Sequence, residues 1–256
     1  AGHGSHGFLT QDGRPPGEIA ADGKAQLLRY PRVTWLDGLA RDACVAPDGR
    51  LAFRVGDVGF SAARLILATG VRDELPPVPG LAERWGRSVF HCPYCHGYEL
   101  DGGDIGIVAA SPLAQHHALM LPDWGRTTLF LDGRFTPNDE ELAALARRGT
   151  RVEAVPIARI DGEADVVLAD GRVLAMAGLF TQPRTRLASP LAEQLGCALE
   201  DGPMGPFIKV GPVQDTSVAN VFACGDAARG AGNVALAVGD GVMAGLGAHR
   251  ASMLAG

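Results

Sequence analysis

The chain has 256 residues, five of them cysteine, and a formal net charge of −6. That length holds one large or two modest domains with ample core. The acidic balance leaves no electrostatic footprint for nucleic acid or an anionic membrane surface, and no apolar run reaches the roughly 18 residues of a spanning helix. An odd cysteine count argues against a disulfide-stapled secreted domain and points to the cytoplasm. Thirty-five glycines, recurrent alanine and valine and few aromatics suit α/β layers.

Residues 1–17 carry no helical or strand period, and His3 and His6 read there as solvated loop histidines. Residues 17–30 predict a helix that Pro31 ends. Residues 32–35 predict a short strand. Residues 44–46 and 51–55 predict a hairpin through Pro47-Asp48-Gly49, with Trp35 and Cys44 as packing residues. Residues 63–70 predict a buried strand, and its closing Thr69-Gly70 lets the backbone turn close to a ligand. Residues 71–82 carry three prolines and read as a linker and domain boundary.

The stretch His91-Cys92-Pro93-Tyr94-Cys95-His96-Gly97-Tyr98-Glu99 follows. A C-x-x-C spacing favours a low-pKa thiol or a small disulfide ring, Pro93 restrains the loop, and His96 stands ready to move a proton. The reading is a redox dithiol with its own acid–base group. A c-type haem attachment signature shares this string but needs export, and no signal peptide is visible. A zinc site lacks a second ligand cluster, because Cys44, Cys197 and Cys224 stand alone. An inert buried pair sits badly with so many ionisable and aromatic neighbours.

Residues 103–109 predict a strand and 113–121 a helix, the setting of a dinucleotide fingerprint. The turn reads Ala109-Ala110-Ser111-Pro112-Leu113-Ala114, so the first two glycine places of G-x-G-x-x-G are lost. A second strand, 127–131, ends at Asp132, an acid suited to a ribose 2′-hydroxyl. His116 and His117 read as helix-surface residues. A helix at 139–148, a strand at 151–155 and a hairpin around Asp170-Gly171 follow, and residues 179–183 read as the return linker. The last third predicts a helix at 190–195, a strand at 207–210 and an apolar strand within 216–226 that ends in Gly225-Asp226. Such a carboxylate points into a ligand crevice at the carboxyl edge of a sheet. A long helix over 234–251 closes the chain, and its first turn at Asn233 and Val234 offers free N–H groups.

With these motifs in their order, the chain resembles the thioredoxin reductase family of flavoproteins. The strand ending Ala68-Thr69-Gly70, the C-x-x-C, and Thr216-Ser217 through Val221-Phe222-Ala223 to Gly225-Asp226 carry the resemblance, which covers essentially the whole chain. Histidine after the second cysteine is similar to the subgroup that includes dithiol oxidases of the gliotoxin and holomycin type. The resemblance implies an α/β fold of two Rossmann-like, three-layer ββα domains. The cofactor domain would be split over 1–78 and 184–256, with a nucleotide-binding-like domain carrying the dithiol inserted at 79–183. It implies FAD held by Thr69, Gly70, Gly225, Asp226, Asn233 and Val234, with Cys95 toward the flavin, Cys92 toward the substrate and His96 as acid–base group. It also implies a homodimer and, as partner, a thioredoxin-like protein or a small dithiol or disulfide.

Two departures shape the expectation. The family opens with a strand and a G-x-G-x-x-G turn, whereas this chain opens at Ala1-Gly2-His3-Gly4, which reads as an N-terminally truncated cofactor domain. The degenerate second fingerprint, with no arginine pair after its second strand, argues against NADPH. The expected activity is therefore FAD-dependent thiol–disulfide exchange that leans toward dithiol oxidation with oxygen. NAD(P)H-dependent disulfide reduction is the runner-up, and a flavin-free, non-catalytic remnant is the rival of another class.

Overall fold

The computed structural model describes residues 4–254, so His3 lies outside the described residues. The chain forms two compact units. One holds residues 4–29 with Leu75–Pro183, the other Tyr30–Glu74 with the chain from Arg184 onward. The crossings fall at 29/30, 74/75 and 183/184, against the expected 78/79 and 183/184. Residues 4–29 group with the dithiol-bearing unit. Their helix Pro16–Leu27 buries none of its residues, so a loop makes the connection: Ser5 and Arg14 pair, and His6 reaches Glu99.

The dithiol unit is built on a five-stranded, all-parallel sheet. Its order is Val89–Phe90, Gly178–Phe180, Gly102–Val108, Gly125–Phe130, Arg151–Glu153. The helices Ala114–Met120 and Asp139–Arg147 make the crossovers between its last three strands. A three-stranded antiparallel sheet, Ile157–Asp161, Asp165–Leu168 and Val173–Leu174, adds the third layer. The period of two sorts side chains between the layers. Phe90, Ile105, Ile107, Leu129 and Phe180 pack with Ala114, Ala118 and Leu145 of the helices. Val89, Val108, Phe130 and Leu179 pack with Ile160, Val166 and Leu168 of the antiparallel sheet. The helix Asp139–Arg147 begins with a full capping box, in which Asn138 Oδ1 accepts from Glu141 N and Glu141 Oε2 accepts from Asn138 N.

In the second unit the strand Leu65–Leu67 runs parallel to Val221–Ala223. A three-stranded antiparallel sheet, Ala40–Val45, Leu51–Val55 and Val58–Ala62, packs its Ala43 and Leu51 onto a core with Leu67, Leu191, Ile208 and Ala223. The helix Val234–Leu254 follows. Asp240 of that helix, 4% exposed, takes a bidentate ion pair from Arg229. This is a mixed α/β fold with parallel sheet, as the resemblance implies. Among the described residues no helix is long and apolar enough to cross a membrane.

Several local expectations change. Residues 32–35 form no strand. A bulge between Arg41 and Cys44 turns Ala43 inward and leaves Cys44 exposed; Trp35 is exposed as well. The first part of the expected linker, Val71–Glu74, is a strand paired antiparallel with Arg184–Leu187. The expected return linker, 179–183, opens with the last two residues of the strand Gly178–Phe180, which lies inside the parallel sheet with all three residues buried. A three-residue strand is too short to display a period, and Pro183 gave its end the look of a linker.

Candidate active site

The dithiol sits where the buried strand Val89–Phe90 ends, at the carboxyl edge of the parallel sheet. The chain bends at His91, Cys92 is in extended backbone, and Pro93 opens the short helix Pro93–His96 with its fixed φ already suited to that position. The single turn brings Cys95 N to 3.2 Å from Cys92 O, and the two cysteines form a disulfide with Cα atoms 5.3 Å apart. That separation is within the ordinary disulfide range. Both cysteines are partly exposed, while Pro93 and Gly97 beside them are buried. A Cβ on Gly97 would stand 2.7 Å from Pro93 O and 2.8 Å from Trp124 Cγ, so this position needs glycine for closeness rather than for φ.

His96 closes the helix. Its ring stacks on Phe90 with centroids 4.3 Å apart, and its Nδ1 is buried without a hydrogen-bond partner. Burial lowers the His96 pKa below the usual imidazole value; the Glu99 carboxylate opposes that shift, and His6 adds to it. His6 Nδ1 lies 3.2 Å from Glu99 Oε1 and 3.5 Å from Asp12 Oδ1, and its ring meets that of His96 edge-on at 6.4 Å. His6 is thus a half-buried partner of the dithiol segment rather than a solvated loop residue. A cavity of about 610 Å³ beside this segment is lined by His6, Tyr98, Glu99 and Trp124, among others. Tyr94, inside the C-x-x-C, is exposed and packs its edge on Trp124 at 5.4 Å.

His117 also departs from expectation. His116 is exposed, but His117 is only 3% exposed, with Nδ1 unpartnered, and burial first, then His91 and His116, lower its pKa to about 3. Helical spacing from Ala114 to Ala118 held the signal, since both are buried on the same stripe.

The turn after Gly102–Val108 offers little to a pyrophosphate. Leu113 N donates to Ser111 Oγ, Ala114 N to Ser111 O, Gln115 N to Pro112 O and His116 N to Leu113 O, so the first N–H groups are spent locally. Asp132, the expected ribose ligand, instead accepts from Ile157 N at 2.9 Å and pairs with Arg134.

The remaining expected residues lie in the second unit. Thr69 and Gly70 follow Leu65–Leu67, and Gly225 and Asp226 follow Val221–Ala223, so all four stand at the carboxyl edge of one parallel pair. Gly70 and Gly225 have φ of 68° and 66°, the left-handed backbone that turns the chain away from each strand. Asp226 is exposed, with neither a hydrogen bond nor an ion pair among the described residues, and a Cβ on Gly232 would come within 2.9 Å of its Oδ1. Asn233 caps the helix Val234–Leu254, with its Oδ1 accepting from Leu236 N at 2.9 Å. An unpaired carboxylate, a side-chain-free cradle and a helix start fit the polyhydroxyl chain and electron-rich edge of a flavin.

Comparison with known proteins places this geometry. The pyridine nucleotide-disulphide oxidoreductase family matches residues 42–241. The chain is 34% identical to thioredoxin reductase tcpT of Claviceps purpurea, with 91% of this chain and 77% of that protein covered. It is 37% identical to thioredoxin reductase sirT of Leptosphaeria maculans over 73% of this chain, and spans 62% of the length of that relative. The crystal structure of an oxidoreductase from Agrobacterium tumefaciens superposes with a TM-score of 0.95 at 56% identity, covering 98% of this chain and 85% of that one. The chain therefore belongs to the pyridine nucleotide-disulphide oxidoreductase family, as a thioredoxin reductase-like oxidoreductase.

Proposed function

We propose that the protein is an FAD-dependent thiol–disulfide oxidoreductase in which Cys92 and Cys95 cycle between disulfide and dithiol, with oxidation of a substrate dithiol the favoured direction. The observation that carries this reading is the partly exposed Cys92–Cys95 disulfide beside a histidine whose pKa burial lowers. A substrate thiolate attacks Cys92 Sγ, the disulfide breaks, and Cys95 leaves as thiolate. The second substrate thiol then attacks the substrate sulfur bound to Cys92, releasing substrate disulfide and a Cys92 thiolate. Two electrons thereby enter the cysteine pair and two protons leave the substrate. The first passes to solvent as the attacking thiolate forms and His96 takes the second; with Nδ1 buried, Nε2 is the nitrogen left for that exchange. Thr69, Gly70, Gly225, Asp226, Asn233 and Val234 would hold FAD, which would supply a two-electron acceptor for the reduced cysteine pair.

The spent N–H groups at residues 113–116 and the engaged Asp132 favour oxygen over NAD(P)H as the further redox partner. NAD(P)H-driven reduction of a thioredoxin-like protein or small disulfide is the second reading. The strand–turn–helix of a dinucleotide site favours it, since Gly102–Val108 and Ala114–Met120 persist within the parallel sheet. Homodimer assembly belongs to the same proposal, and sedimentation checks it. The primary test incubates the chain with FAD, adds a small dithiol anaerobically, and follows flavin bleaching; Cys95→Ser abolishes it. Oxygen uptake with peroxide release supports the first reading, and NADPH oxidation the second. A chain that stays colourless in FAD overturns both and supports a non-catalytic remnant.

A further inference from the structure

The residues that bracket the dithiol rest on one aromatic cluster. Phe90, the last strand residue before the motif, stacks under His96, which follows Cys95. Phe90 in turn packs against Phe180 at 5.8 Å. Phe180 meets His117 edge-on at 6.3 Å, and His117 meets His91 at 6.0 Å. His91 directly precedes Cys92. The two ends of the motif are therefore seated on the same platform, one on a phenyl ring and one on an imidazole.

The imidazole is the unexpected member. The helix Ala114–Met120 turns Ala114, His117 and Ala118 inward, at 2%, 3% and 0% exposure. An inward stripe between two alanines ordinarily takes an aliphatic residue, and a buried polar atom without a partner is costly. Here Nδ1 of His117 is such an atom. Packing onto Phe180 alone would be served better by leucine or phenylalanine. What histidine adds is a polar ring facing His91, the one ring of the cluster joined to Cys92 by a single peptide bond.

We propose that His117 is a positioning residue of the dithiol: its imidazole seats His91 and so holds that ring beside Cys92. The inference rests on the redox role of Cys92 and Cys95 proposed above. When protonated, an imidazole next to Cys92 in the chain favours the thiolate, so the residue that fixes its place sets the reactivity of the sulfur that meets substrate. The charged or titratable groups that face His117 are His91 and His116.

The test uses the full chain and the variants His117→Leu, His117→Phe and His117→Asn. The reduced protein is alkylated with iodoacetamide across pH, Cys92 modification is resolved by mass spectrometry, and thermal midpoints are recorded alongside. His117→Leu keeps or raises the midpoint, because an unsatisfied buried atom is gone. Yet it slows Cys92 alkylation at neutral pH by about fivefold, the coupling typical of neighbours in one packed network, and displaces the profile to higher pH. His117→Phe does the same should the leucine variant fold poorly. His117→Asn, which keeps a polar group facing His91, restores most of the rate. His91→Ala gives the same displacement, and adding His117→Leu to it produces no further change. A wild-type alkylation profile in His117→Leu or His117→Phe overturns the proposal and leaves His117 as core filling. If the unsubstituted chain does not pass reversibly between disulfide and dithiol with dithiothreitol, the redox reading fails, and this inference with it. Thiol counting on the unsubstituted chain separates that result from failure of the inference alone.

Discussion

Gly97 is the position where the dithiol segment has no room to spare, and Gly97→Ala measures how much that closeness matters. Two effects oppose each other. The residue has helical dihedrals, φ −69° and ψ −37°, so alanine fits the backbone and gains about 0.4–1 kcal/mol by restricting the unfolded chain. Against this, the added Cβ lies 2.7 Å from Pro93 O and 2.8 Å from Trp124 Cγ. Neither neighbour moves freely: the Pro93 carbonyl accepts from Gly97 N at 2.7 Å, and the indole packs on Tyr94. Overpacking of this kind costs about 1–3 kcal/mol, so the expected net effect is a destabilisation of about 1 kcal/mol. For a chain of this size that is a fall of about 2–4 °C in thermal midpoint. Urea titration followed by tryptophan fluorescence gives the free energy. A variant as stable as the parent, or more so, refutes the close approach on which the seating of the short helix rests.

Further outcomes follow from the same geometry. His96 titrates below its ordinary value of about 6.5, so it stays neutral, and able to accept a proton, further into acid than a free imidazole. The acid limb of dithiol turnover then lies below that pH; Glu99→Gln removes an opposing influence and moves the limb lower, whereas His6→Gln removes a lowering one and moves it higher. A pH–rate profile of the three proteins checks the order. Asp240 has a pKa depressed first by Arg229, so its stabilisation is present above the unfolded carboxylate value and is lost as pH falls through the lower folded one. Asp240→Asn costs roughly 1–3 kcal/mol at neutral pH, discounted because Arg229 is about a third exposed, and the difference from the parent shrinks in acid denaturation series. Leu145→Ala empties a fully buried site between helix and sheet and costs about 2–5 kcal/mol in urea unfolding. Asn138→Ala breaks the capping box and costs about 1 kcal/mol by the same assay.

Much of the candidate site was legible along the chain because its chemistry is local. Two cysteines three apart, a proline that starts a helical turn and a following histidine need only neighbouring residues to form a ring and present a proton acceptor. The glycine–aspartate after an apolar strand and the run Asp139-Glu140-Glu141 are local in the same sense, and the structure adds the capping box, whose two bonds join Asn138 and Glu141. The spacing of Ala114, His117 and Ala118 was equally visible, but periodicity names a stripe without saying whether a sheet lies under it.

What only the tertiary structure decided concerns partners distant in sequence. Cys44 faces outward because a bulge shifts register by one residue and hands the inward position to Ala43. Gly178–Phe180 becomes an interior strand because Val89–Phe90 and Gly102–Val108 leave a gap between them that backbone hydrogen bonds must fill. His6 is drawn to Glu99, 93 residues away, and His117 lies beneath His91. Sequence by itself determined which groups gather in the dithiol segment and the turns that present them. Burial and charge pairing, which set the protonation of His96 and His117, arise where separate elements close on one another, and no window along the chain contains that information.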